Sequence, residues 1–199
     1  MTQSRPNALP ATCSIAFKEW SGVCQALASG LQAIILRKGG IAEENGRFVP
    51  EHPVFWLYPT HLHESQQGLR ESEATAAPGA ADHVPIEALC FVQEVLFVDR
   101  PDALAALSEL HVWTEETVLK RFHYRSPGIW VLGVRVWRRD EPLLLPVMPE
   151  HAGCKSWVPL EQPLPTAGLK PVLSDAEFAV RMERLRAVMD ASLTGGPRA

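Results

Sequence analysis

Leu36-Arg37-Lys38-Gly39-Gly40-Ile41, with Glu51-His52-Pro53-Val54-Phe55-Trp56-Leu57-Tyr58-Pro59-Thr60-His61-Leu62-His63-Glu64 just behind it, is the stretch on which the reading of this chain turns. Gln32 to Leu36 is a short aliphatic run. Ile34 and Ile35 are β-branched, so the run reads as a strand. It delivers two cations, Arg37 and Lys38, to a double glycine. Gly39-Gly40 permits positive φ and lets a ligand approach backbone N–H groups closely. Ile41 to Pro50 reads as a connection through the turn dipeptide Asn45-Gly46, with Phe48 and Val49 beginning the return. Phe55 and Leu57, with Val54 and Trp56 between them, predict a second strand. It is apolar on both faces and therefore central in its sheet. Pro59 stops it. His61, His63 and Glu64 follow.

Outward from this pair of strands the signals are mixed. Residues 1–12 read as a flexible N-terminus. Ser14 can cap a first helix on which Trp20, Val23, Cys24 and Leu27 recur at i, i+3, i+4 and i+7, and Gly30 ends it. On that helix Lys18 and Glu19 are either a solvated pair or place a carboxylate at the edge of a site. Residues 65–85 turn to Gln, Glu, Ala, Gly and Pro without periodicity, which predicts a mobile loop. Ala88 to Val98 is a long apolar strand. Asp99 or Asp102 starts a helix through Leu110, and Thr114 caps another, with Glu115 and Glu116 first and Lys120 and Arg121 last, matching the helix dipole.

Trp130 to Arg138 alternates. Trp130, Leu132, Val134 and Val136 share one face, and Val131, Gly133, Arg135 and Trp137 the other. Arg135 is then either a paired arginine over an aromatic ring or a ligand-facing cation. Leu143 to Val147 continues in strand style. A polar–aromatic insert, Gly153 to Trp157, precedes the apolar Val158 to Leu160. Ser174-Asp175-Ala176-Glu177 is a capping box before a helix with Phe178, Met182, Leu185 and Met189 on one face. The expectation is one α+β domain over residues 13–191, with a mixed or mainly antiparallel sheet of about five to six strands and flanking helices. Residues 192–199 form a flexible tail.

Composition narrows the function classes. The 199 residues suffice for one domain with a substantial core. A net charge of −4 gives no global basic field, which excludes a nucleic-acid coat and leaves room for a local basic patch. Cys13, Cys24, Cys90 and Cys154 form no C-x-x-C pair. There is no secretory leader and no apolar run near the roughly 18–20 residues of a membrane span. The reading is a cytoplasmic protein with reduced thiols and no membrane role.

Several separated motifs also resemble a known family. Ala16–Trp20 (AFKEW), Leu36–Ile41 (LRKGGI), the Glu51–Thr60 run, His111–Glu116 (HVWTEE), Pro127–Trp137 and Gly153–Leu160 (GCKSWVPL) are similar, in order, to the bacterial domain of unknown function 1802 family. In this chain His63 is followed by Glu64 where the family pattern has glutamine, so a role that needs an amide there is not carried over. The resemblance implies a cytoplasmic single-domain protein and names no reaction.

Three constellations carry chemistry. In the first, Arg37, Lys38 and the Gly39-Gly40 amides hold a phosphate, with Arg135 as a further cation. Glu19, Glu51 or Glu64 can hold a divalent ion such as Mg²⁺ through hard oxygen ligands. His63 or His52 can move a proton near neutral pH. Metal-assisted phosphoester hydrolysis by Glu19, Lys38, His63 and Glu64 is then the first enzyme class to test. In the second, His61 and His63 grip a transition metal with Glu64 or Cys154. In the third, Trp113, Arg121, Phe122, Tyr124, Arg125, Trp137, Arg138 and Arg139 interleave aromatic and basic groups that suit a nucleotide or nucleic acid. The alternative is a non-catalytic interaction domain in which these motifs are structural. A Nudix glutamate set, G-x-S-x-G, G-x-G-x-x-G and a P-loop are all absent from the sequence.

Overall fold

In the computed structural model, the structure describes residues 9–39, 41–44, 47–61, 68–70, 82–151 and 156–194. Chain order is β1 (Thr12–Trp20), α1 (Ser21–Ala28), β2 (Ile34–Arg37), β3 (Ile41–Glu44), β4 (Arg47–Pro50), β5 (Val54–Thr60) and β6 (His83–Val98). Then come α2 (Pro101–Ala106), α3 (Glu115–His123), β7 (Ile129–Pro146), β8 (Trp157–Pro165), β9 (Lys170–Pro171) and α4 (Asp175–Thr194). The main sheet runs β2-β7-β6-β5-β1-β8, with β9 added to β7, and β3–β4 is a separate hairpin. β1 and β5 are parallel and the other pairs antiparallel, so the sheet is mixed. As expected, β5 is central, between β6 and β1.

The first element corrects the sequence reading. Residues from Ser14 to Trp20 are not helical but belong to β1, and the helix starts only at Ser21. The reason is burial on both sides. Phe17 packs into the larger core with Phe55 and Leu57, while Ala16 packs into a second core with Trp56 and Tyr58. A strand buried on two faces shows no period-2 alternation. Gly30 does end the helix, with φ +79° just after the cap residue Ser29. Pro59 lies one residue inside β5, paired with Glu19.

The two longest strands, β6 and β7, serve both cores. Irregularities between Ile86 and Ala88 and between Val92 and Glu94 bend the ladder, which is what bulges do. The curl brings the far ends of the sheet together: the Arg37 guanidinium on edge strand β2 lies 4.5 Å from the Phe17 ring of β1 and 4.7 Å from the Trp157 ring of β8. α4 closes the outer face of β7. A Cβ on Gly133 would stand 2.7 Å from Met182 Sδ, so glycine there lets the helix seat closely. Its capping box forms as read, with Ser174 N donating to Glu177 Oε2 at 2.8 Å and Glu177 N to Ser174 Oγ at 3.2 Å. Thr114 accepts from Thr117 N and caps α3. Gly68 to Arg70, inside the stretch read as a mobile loop, lies against Val112 to Thr114 through Thr114 N to Gly68 O (2.7 Å) and Arg70 N to Val112 O (2.8 Å). No helix among the described residues is long and apolar enough to cross a membrane.

Candidate functional site

Arg37 ends β2 on the inward side, where the curled sheet meets itself. Its guanidinium lies over two aromatic rings, Phe17 and Trp157, which themselves touch at 5.0 Å between centroids. His52 stands edge-on to Trp157, 4.8 Å between centroids, and Glu51 lies 3.9 Å from His52. Burial lowers the Arg37 pKa to about 10, against the pull of Glu19 and Glu51. The Nη1 nitrogen is buried with no hydrogen-bond partner, and so is Trp157 Nε1 beside it. Among the described residues, then, two buried donors beside aromatic rings have nothing to accept them. That arrangement is costly in a folded protein unless an acceptor arrives.

Glu19 sits behind this group. It lies on β1, not on a helix, and it is buried. Its Oε1 accepts from the Trp20 amide at 2.8 Å. Burial raises its pKa, while Arg121, the Trp20 amide and Arg37 hold the charge in place. Arg121, from α3, stacks on Trp20 (4.5 Å) and Trp113 (5.2 Å) and donates to Leu36 O at 3.3 Å. The cluster is thus one carboxylate and two arginines, each guanidinium within cation–π distance of two rings. Trp113 and Arg121 stood in the aromatic–basic set read from sequence. Phe17 and Trp157 did not, because only sheet closure brings them to Arg37.

The other expected residues separate. Neighbours on a strand point to opposite sides, and Lys38 turns away from Arg37. Its Nζ donates to the carbonyls of Phe122 (3.1 Å), Ser126 (2.6 Å) and Gly128 (2.5 Å), tying the end of α3 to the start of β7. Lys38→Met is accordingly expected to lower stability by about 2 kcal/mol, since charged hydrogen bonds contribute more than neutral ones but water can replace the exposed part. A urea unfolding series measures it. Arg135 is buried under α4, where it pairs with Asp175 at 2.9 Å, donates to Ser174 O at 3.3 Å and lies over Phe178 at 5.0 Å. It anchors the N-terminus of α4, as a paired arginine over an aromatic ring.

Gly39 is not among the residues with positive φ, and nothing described lies within 4 Å of where its Cβ would stand. Neither conformation nor crowding among the described residues requires a glycine there. Gly40, His63, Glu64 and Cys154 lie outside the described residues, as does the Asn45-Gly46 turn. Among the described residues no group of three or more His, Cys, Asp or Glu side chains comes together to hold a metal ion. His63, Glu64 and Cys154 complete the metal sets read from sequence and fall outside that set of residues.

Fold and cluster together define an α+β domain with a cation–aromatic site at the seam of a curled sheet. The chain belongs to the family described as Domain of unknown function (DUF1802), whose profile matches residues 16–184. No curated protein matches the sequence. Among solved structures, the ASCH protein of Zymomonas mobilis is similar at 13% identity, covering 87% of this chain and 93% of that one, with a TM-score of 0.41. A serine-to-alanine mutant of the same protein is similar at 12% identity over 89% of this chain and 99% of that one, with a TM-score of 0.40.

Proposed function

We propose that the domain recognises a phosphate group of a nucleotide or nucleic acid, with Arg37 as the anchoring cation. One observation carries the reading: the Arg37 guanidinium is held over the paired rings of Phe17 and Trp157 with a buried donor that nothing among the described residues accepts. A guanidinium presents its donors in a rigid fork that matches phosphate oxygens. Trp157 Nε1 adds a second donor. Gly39, the next residue but one, leaves space for a ligand to reach the backbone. His52 and Trp157 offer rings on which a base stacks. Glu19 sets the charge of the group without taking up the fork: it lies within electrostatic reach of Arg37, and its nearest partner is the Trp20 amide.

The function assigned is binding, and turnover is a separate question. Fluorescence anisotropy with short single-stranded RNA and DNA oligonucleotides tests it. Affinity is expected to fall as salt rises, with a shallow slope of about one or two counterions released, since few phosphates are contacted. A chelator is expected to leave binding unchanged. Absence of binding at low salt to both oligonucleotides and mononucleotides rejects the reading. Chelator-sensitive release of a shortened product would instead assign metal-assisted phosphoester hydrolysis.

A further inference from the structure

A cleft of about 190 Å³ lies away from the Arg37 fork, between the first turns of α1 and the strands β5 and β6. At the ~30 Å³ that one water occupies in the liquid, it holds about six waters. That is room for a single ring with one substituent. Leu57, Pro59 and Pro85 give it apolar walls, and Cys24, Gln25 and Glu87 give it polar ones. The polarity is opposite to that of the Arg37 site. Gln25 Oε1 is a buried acceptor without a hydrogen-bond partner. Glu87 Oε2 takes both contacts from Arg138, at 3.2 Å each, and its other oxygen accepts no bond from the described residues. Cys24 also records the sign of the field: burial raises its thiol pKa first, and the charges of Glu19 and Glu87 raise it further. Gln25 and Glu87 thus give the cleft its acceptor oxygens, and Ser21, His61 and the Cys24 thiol line it as well.

We propose that this cleft binds a small planar ligand through an amidine edge, with adjacent N–H donors directed to the Gln25 side-chain oxygen and the Glu87 carboxylate. Such an edge is presented by a charged amidinium, whereas a neutral amino-substituted heterocycle sets a ring-nitrogen acceptor beside its amine and does not match two acceptor oxygens. The flat ring lies against Leu57 and the two prolines. Gln25 lines the cleft, and the last torsion of a glutamine is soft, so its amide can rotate to present the oxygen to a ligand there. Acceptor oxygens of Gln25 and Glu87 favour a donor-bearing ligand over an anion. The inference stands on different residues from the phosphate reading and needs no phosphate.

The test is a ¹H–¹⁵N NMR titration of the full chain with benzamidine, 2-aminopyrimidine and benzoate, none of which carries phosphate. Benzamidine is expected to shift the amides of Ser21, Gln25 and Ala88 in a saturable way, and 2-aminopyrimidine, whose ring nitrogens accept rather than donate, is expected to bind these amides more weakly. Gln25→Met keeps the length of the side chain and removes the acceptor, and is expected to weaken binding about tenfold, the value of one lost hydrogen bond. Glu87→Gln is expected to do the same. Arg138→Met, which frees the Glu87 carboxylate, is expected to keep or strengthen binding, and guards against an effect of the ion pair alone. Absence of saturable shifts from benzamidine overturns the proposal, as does equal binding of benzoate or 2-aminopyrimidine to these same amides. Shifts from benzoate confined to the amides around Arg37 and Trp157 support the anion site and leave the cleft assignment intact.

Discussion

Between about pH 7.5 and about pH 5 the protein is expected to lose about 2 kcal/mol of stability through His111 alone, and a His111→Leu variant is expected not to show that loss. His111 is buried, 4% exposed, in the run that leads into α3. Neither ring nitrogen has a hydrogen-bond partner. Burial pushes its pKa down to about 4, and the Arg70 guanidinium, which donates to the His111 carbonyl, pushes the same way. The sign follows from linkage. In the unfolded chain the imidazole takes its proton near pH 6.5, about its ordinary value. In the folded chain it does so only near 4. Through that window the unfolded state binds the extra proton, so stability is full above about pH 6.5 and falls as pH approaches the folded value. Glu19 works in the other direction. Its folded pKa is raised by burial, so its contribution is full below its unfolded value and declines as pH rises through the folded one. The comparison is therefore between proteins: urea midpoints of wild type and His111→Leu at both pH values, with m unchanged. Because neither ring nitrogen is hydrogen-bonded among the described residues and leucine keeps an apolar contact with Trp113, the variant is expected to match or exceed wild-type stability at neutral pH. Equal pH dependence in the two proteins rejects this account.

How much of this was legible in the sequence depends on which physical signal a residue carries. Capping is local, so Thr114, the Ser174–Glu177 box and Gly30 were readable from a few neighbours each. Trp130 to Trp137 was readable as a strand from its β-branched and aromatic residues, although both of its faces are buried in the larger core. β1 was not. Trp20, Val23, Cys24 and Leu27 keep helical spacing across a junction where a strand ends and a helix begins. Lys18 and Glu19 resemble the exposed side of a helix, yet one reaches the His151 carbonyl and the other is buried near two arginines. Charges satisfied by tertiary contacts look, in a sequence, like charges satisfied by water.

The same distinction separates Arg37 from Lys38 and Arg135. All three are cations near strand positions, and sequence assigned them to one phosphate site. What tells them apart is the partner each meets after folding: three carbonyls for Lys38, Asp175 and Ser174 for Arg135, and two rings with no acceptor for Arg37. Phe17 and Trp157 come from opposite ends of the chain, and the curl of the sheet that unites them over Arg37 leaves no local trace. Tertiary closure, rather than motif, selects one cation of the three.

That selection leads to a two-sided expectation for Arg37→Met: stability equal to or above wild type, and affinity for phosphate-bearing ligands lower by about tenfold or more. An arginine kept for stability would be hydrogen-bonded. This one has a buried nitrogen without a partner, an arrangement whose cost is about 1–3 kcal/mol. Methionine keeps an unbranched chain beside Phe17 and Trp157 and sets a polarizable sulfur against their rings, so the apolar contacts survive. One effect opposes the gain. Glu19 loses a nearby cation, its charge then rests on Arg121 and the Trp20 amide, and its pKa moves further up. The net stability change is therefore small or favourable, and it grows more favourable as pH is lowered and Glu19 takes its proton. Arg37→Lys separates charge from geometry: an ammonium restores a cation but not the fork, so affinity is expected to stay close to that of the methionine variant. Thermal unfolding and oligonucleotide anisotropy on the same three proteins decide the matter. Arg37→Met losing more than about 2 kcal/mol of stability would make Arg37 a structural strut of the sheet seam and remove the basis for the phosphate site. Retained stability with lost affinity is the signature of a residue held in an unfavourable place for a ligand.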